Sequence, residues 1–219
     1  MLAAQQANPV DDPDAGYRAD FYAEDGLYLT LRGHESWLGG DFDGGTSLVG
    51  PDTIFVPEAD DGRGYELGFG WSSHASSYAM EFTYTRIGYD GSIGAGDADI
   101  EYQAINWNMF RYLRGNEALQ PYWLIGFTYP WMDLEDASTD GAVIGDAKLR
   151  DGLGVHLGLG LAWWLGPRFA LDVRGLYAYE AYDKAEGVRT DSETIDDAVE
   201  GPSFGISFGL TWMLGRGGS

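Results

Sequence analysis

Cysteine is absent from the 219 residues, so neither a disulfide nor thiolate chemistry contributes to this protein. Basic residues are scarce: 13 Lys and Arg stand against 35 Asp and Glu, for a net charge of -22. That balance excludes a nucleic-acid partner, because phosphate binding needs clustered cations. Histidine occurs three times, as His34, His74 and His156, which with no cysteine leaves little from which to build a transition-metal site. No stretch approaches the roughly 18 uninterrupted apolar residues of a spanning helix, since even 153–166 is broken by glycines and His156. The first residues, Met1 to Ala7, have neither a basic region nor a full apolar core, so they do not read as an intact secretory signal.

What is present is alternation. Phe204, Ile206, Phe208, Leu210, Trp212 and Leu214 put six large apolar side chains on one face of a strand, and Gly205, Ser207, Gly209 and Thr211 occupy the other. The pattern recurs from Leu153 to Trp163, from Phe169 to Val173 and from Trp123 to Trp131, with aromatics on the apolar face each time. Reading the whole chain for this period gives eight strands, near 26–38, 63–73, 76–88, 99–113, 120–132, 148–165, 168–182 and 202–214. Eight is an even number, so an antiparallel up-and-down barrel can close. Glycine at 33 residues and aromatics at 15% suit such an all-β chain, and its mean hydropathy of -0.25 reflects polar connections diluting the strands.

Connections at 39–62, 89–98, 133–147 and 183–200 are long, while those near 72–76, 114–117 and 166–167 are tight. The long ones hold 20 of the 35 acids, opposed only by Lys184 and Arg189, so one rim carries most of the negative charge. Asp41 and Asp43 within them, and Asp97 within them with Asp99 just beyond, place carboxylates at alternating positions that suit a hard divalent cation, although neither segment completes a calcium loop. No other cofactor is expected. The organisation is then an acidic N-terminal lead (1–25), the barrel (26–214) and a short tail (215–219).

A strand with one greasy face and small residues opposite suits a lipid-facing barrel, and aromatic spacing points the same way. Trp123 and Trp131 lie eight residues apart, as do Phe169 and Tyr177, and Phe204 and Trp212. Eight residues span about 26 Å along a strand, or about 20 Å along the membrane normal at a tilt near 40°. This is close to the hydrocarbon band between the two aromatic girdles of an outer-membrane barrel. One girdle takes Trp71, Tyr78, Trp123, Trp163, Phe169 and Trp212; the other takes Trp37, Tyr84, Trp131, Tyr177 and Phe204. A soluble ligand-binding barrel would turn the apolar face inward, and volume argues against that, because an eight-stranded barrel has room only for its own side chains or one small ligand.

With the apolar face outward, the interior receives Thr30, Arg32, His34, Glu66, Glu81, Thr83, Thr85, Asn106, Asn108, His156, Asp172, Arg174 and Ser207. Buried charges must be paired, so Arg32 and Arg174 are expected to join Glu66, Glu81 and Asp172 in an ionic network that plugs the lumen. Gly205-Ile-Ser207-Phe-Gly209 matches the hydrolase pattern G-x-S-x-G, but that elbow requires a strand-turn-helix setting and here the serine is mid-strand. His34 and His156 sit on strands that are not neighbours, and His74 sits in a Ser-rich turn. No catalytic residue is assigned.

Residues 26–214 resemble the small eight-stranded outer-membrane barrels, the class of the OmpA transmembrane domain, OmpX and the opacity-type proteins. The resemblance is architectural, with one sequence element. Ser207-Phe-Gly209-Leu-Thr-Trp212-Met-Leu214 fits the C-terminal assembly signal of that class, although the chain runs on through Gly215 to Ser219 where such chains commonly end on an aromatic. The resemblance implies a multi-pass protein of the bacterial outer membrane with periplasmic termini. It also implies contact with outer-membrane lipid and lipopolysaccharide, and with the barrel-assembly machinery during biogenesis. The expected role is structural or surface-interacting, with an unidentified protein partner at the outer loops; a narrow channel for small solutes or ions is the alternative, and a lipid-modifying enzyme a more distant one.

Overall fold

A computed structural model describes residues 26–43, 46–49, 52–55, 58–73, 77–93, 96–113, 118–139, 142–186 and 193–216. The acidic lead and His74 lie outside them. The described residues form ten strands: β1 (Gly26–Leu38), β2 (Thr46–Val49), β3 (Asp52–Phe55), β4 (Glu58–Ser73), β5 (Tyr78–Ile93), β6 (Gly96–Tyr112), β7 (Leu119–Thr139), β8 (Ala142–Trp164), β9 (Phe169–Glu186) and β10 (Glu193–Arg216). Eight of them close in the order β1-β10-β9-β8-β7-β6-β5-β4, every pair antiparallel. The β2-β3 pair forms a separate hairpin within the β1–β4 connection. The protein is thus a closed up-and-down barrel, as its alternation predicts.

Burial follows the two-residue period. Along β1, Tyr28, Thr30 and Arg32 are buried while Leu27, Leu29 and Leu31 are exposed. The same inversion holds around the barrel, so that exposed large apolar side chains outnumber buried ones. An exterior of this kind belongs in hydrocarbon, where a closed barrel leaves no backbone donor or acceptor unpaired. Aromatic pairs stack across neighbouring strands on this face, among them Trp37 with Phe204 (5.7 Å) and Phe169 with Trp212 (6.0 Å). Trp71, Tyr78, Trp123, Trp163 and Tyr177 are also exposed, while Tyr84 and Trp131 lie half-buried against one another.

The inward glycines are not empty space. Tyr28 lies directly across from Gly70, Tyr89 from Gly62, Tyr122 from Gly160, His156 from Gly126 and Arg32 from Gly209. In each pair a Cβ on the glycine would come within 2.6 Å of the facing residue's side chain. Glycine on one strand is therefore the floor on which the neighbour's bulky side chain lies. This lets a narrow barrel hold more aromatic volume than its composition suggests.

The strands are taller than the hydropathy pattern implies. β5 and β6 run on to Ile93 and Gly96, and β7 and β8 to Thr139 and Ala142, through segments expected to be long connections. β10 likewise continues past 214 to Arg216. The physical reason is that alternation of apolar with polar residues fades beyond the hydrocarbon band while backbone pairing does not depend on it. A bulge marks this transition: between Thr128/Met132 and the facing Gly154/Leu149, β8 carries one extra residue, and Asp151 there adopts φ 52°. It leaves Arg150 and Asp151 both half-accessible at the outer surface, where Arg150 pairs with Asp133 (2.5 Å) and Lys184 with Asp151.

Space, more than conformation, constrains the glycines. A Cβ at Gly209 would lie 2.1 Å from the Leu31 carbonyl oxygen, whereas one at Gly175 would meet nothing within 4 Å. Gly209→Ala is expected to lower stability by about 1–3 kcal/mol, and Gly175→Ala by no more than about 0.5 kcal/mol. Urea unfolding of the refolded barrel in lipid vesicles, followed by tryptophan fluorescence, measures both.

Candidate functional site

The barrel interior is organised in layers. At the end bearing the chain termini, Tyr28, Phe110, Tyr122, Leu124, Trp164 and Met213 form an apolar cluster, with Gln120 accepting from the Trp164 indole at 3.0 Å. At the opposite end Ile87, Tyr89, Ile100, Tyr102, Met132, Leu149, Tyr182 and Val199 form a second. Phe42 completes it from outside the strands. The short 3-10 turn Gly40–Phe42 folds over the mouth, held by the Gly39 amide donating to Pro202 O at 2.9 Å, and delivers the Phe42 ring edge-on to Tyr182. Gly40 makes this possible, with φ 71° and no room for a Cβ against Gly201.

Between the two clusters lies the ionic network. Arg32, 3% exposed, donates through Nη1 to Glu66 (2.7 Å) and Glu81 (3.0 Å), through Nη2 to Glu81 (3.0 Å) and through Nε to Asp172 (2.7 Å). Arg174 pairs with Glu66 and with Glu81 (3.2 Å), and its Nε donates to Ser207 Oγ at 3.1 Å. Tyr122 donates to the free oxygen of Asp172 at 2.7 Å. All five charged residues expected in the lumen are therefore brought together, from β1, β4, β5 and β9. The planar guanidinium explains the choice of arginine, since five donors in a fixed fork can serve three carboxylates at once.

Ser207 spends its hydroxyl in this network, consistent with a structural part for the G-x-S-x-G segment. His156 is hydrogen-bonded through Nε2 to Asn108, whose amide reaches Glu81 at 3.5 Å. His34 and His156 come from β1 and β8, which do not pair, yet closure of the barrel sets both against one cavity of about 50 Å³. The lumen is thus less uniformly polar than expected: a charged middle is sealed by apolar layers at both ends. Of the cation candidates, Asp41 accepts from the Glu200 amide at 2.9 Å, Asp43 and Asp99 are exposed on separate segments, and the Asp97 side chain lies outside the described residues. Among the described residues no three His, Asp or Glu side chains converge on a common point.

One buried acid escapes the sequence reading. Glu180, 5% exposed, faces inward from β9 and accepts from Tyr102 (2.8 Å) and Tyr182 (3.3 Å). Its signal is parity alone: counting by twos from Asp172 and Arg174 along the same strand reaches Leu176, Ala178 and Glu180.

The sequence matches no family model and no curated protein. Solved structures do match the fold. The Neisserial surface protein A aligns with a TM-score of 0.55 at 12% identity, covering 86% of this chain and 97% of that one. OprG, an outer membrane protein of Pseudomonas aeruginosa, aligns at 0.59 and 17%, covering 88% and 98%. The outer membrane protein AlkL, determined in lipid bilayers, aligns at 0.52 and 14%, covering 100% and 98%. The chain has the fold of the small eight-stranded outer-membrane barrels.

Removing one arginine leaves buried carboxylates without compensation. Arg32→Met is expected to cost about 3–5 kcal/mol, and Arg63→Ala, which breaks the exposed pair with Glu35 (3.3 Å), at most about 1 kcal/mol. Equilibrium unfolding of the two variants in the same vesicles gives the comparison.

Proposed function

We propose that this protein is an integral barrel of the bacterial outer membrane whose lumen is closed, acting as a structural or surface-interaction protein through its acidic rim. The observation that carries this reading is the layered interior. Arg32 alone joins carboxylates of three different strands, and apolar clusters cover the network above and below. A solute would have to break buried ion pairs and displace aromatic side chains to pass. Among the described residues Ser207 and His156, the nearest candidates for a nucleophile and a base, are taken up by Arg174 and Asn108, which supports a non-enzymatic role.

Charge supports an orientation. Among the described residues, Arg111 and Arg168 lie at the rim where β1 begins, with no acid beside them, while the connections of the far rim hold most of the acids in the sequence. Anionic phospholipid headgroups attract Lys and Arg, so the termini face the phospholipid leaflet and the periplasm. The acidic rim then faces outward, with lipopolysaccharide around it and its partner contacts beyond. The barrel-assembly machinery is the expected partner during insertion, engaged through the Ser207–Leu214 segment of β10.

A narrow channel is the second reading, favoured by the cavity of about 50 Å³ above the network and one of about 10 Å³ below it. Conductance separates the two. In planar bilayers the wild-type barrel is expected to show no steady openings, and reproducible unitary currents would overturn the closed reading. For orientation, the absence of native cysteine makes single-cysteine labelling clean. Asp99→Cys on intact cells is expected to react with an impermeant thiol reagent, and Pro167→Cys only after the outer membrane is breached.

A further inference from the structure

The ionic network does not balance. Among the described residues, four carboxylates, Glu66, Glu81, Asp172 and Glu180, are buried in the lumen with two guanidiniums, Arg32 and Arg174. Both arginines are engaged with the first three acids. Glu180 has only phenols: Tyr102 donates to one of its oxygens and Tyr182 to the other, the arrangement an ionised carboxylate accepts. A charge held away from water is costly unless an opposite charge accompanies it. The compensating charge must come from something other than a protein cation.

Space for it exists beside Glu180. The cavity of about 50 Å³ is lined by Glu180 and Glu66, by the oxygen-bearing Ser36, Thr85, Tyr102 and Asn106, by His34 and His156, and by Arg174, whose guanidinium is already spent on Glu66, Glu81 and Ser207. A water needs roughly 10–15 Å³ of such volume, so the chamber accommodates one small ion with a few waters. His34 Nδ1 is buried there without a hydrogen-bond partner, which points to an occupant able to satisfy it, directly or through water. Divalent and transition metals are the poorer fit, since no three acidic or histidine side chains converge among the described residues. With Glu66 matched by Arg32 and Arg174, Glu180 leaves one negative charge beside neutral oxygens, which suits a singly charged ion.

We propose that this chamber binds a monovalent inorganic cation, of the size of sodium or potassium, between Glu180 and the ionic network. The ion is a structural counter-charge inside the closed barrel. The inference is independent of whether the barrel conducts, because an occupied chamber can sit in either a closed lumen or a gated path.

The test is unfolding of the detergent-refolded protein at fixed pH and ionic strength, with sodium or potassium chloride replaced stepwise by choline chloride, whose cation is too large for the chamber. A ligand bound by the folded state alone raises stability with the logarithm of its concentration once binding saturates. The midpoint is therefore expected to rise with sodium or potassium in the wild type, to be flat in Glu180→Gln, and to rise normally in the exterior control Glu35→Gln. Excess relaxation of the sodium-23 NMR signal by folded wild-type protein, absent with Glu180→Gln and suppressed by added potassium, reads the site directly. Equal midpoints in choline and sodium with no excess relaxation would overturn the proposal and leave a proton as the neutralising charge. If Glu180→Gln does not refold, the wild-type salt series and the relaxation measurement decide alone.

Discussion

The pairing of β1 with both β10 and β4 is the constraint on which everything else depends. It removes the two free edges that a sheet would otherwise present, and with them the only backbone groups that could not survive in hydrocarbon. Once the ladder is closed, outward side chains are free to be apolar, because no edge competes for partners. The same closure gives an interior of fixed and small radius. Each inward position must then be matched in volume by its cross-strand neighbour, which is why Tyr122 faces Gly160 and Arg32 faces Gly209.

Within that radius, charge and apolar bulk are separated along the axis. Arginine in the middle draws carboxylates from three strands into one small volume, and the aromatic clusters on either side keep water from competing for them. Isolating ion pairs this way makes each one individually expensive to break. It also makes any imbalance expensive, and the position of Glu180, among phenols and beside a cavity, shows where the imbalance falls.

Much of this was legible from the chain. The two-residue period at Phe204–Leu214 and Leu153–Trp163 gave strand direction and face, and the parity of Arg32, Glu66, Glu81, Asp172 and Arg174 was sufficient to assemble the network. The outer ends of the strands were not legible, because hydropathy reports the lipid boundary and the backbone ladder ignores it. The layering was missed for a different reason: Tyr28, Tyr89 and Tyr122 are aromatic by composition, and only the facing Gly70, Gly62 and Gly160 reveal that the interior has room for them. Convergence of His34 and His156 on one cavity depends on closure across the barrel, which no local pattern encodes.

The overshoot of β7 and β8 changes the physical setting of the outermost residues. From Trp131 to Thr139 the ladder climbs about 26 Å along the strand, or about 20 Å above the girdle at ordinary tilt. At physiological ionic strength the screening length is about 8 Å, so the hairpin end stands more than two screening lengths from the headgroup charges. That end of the ladder is electrostatically uncoupled from the lipid, whatever the leaflet carries. A molecule approaching that end meets the field of the protein alone, while one approaching Arg63 or Arg86 meets protein and membrane together.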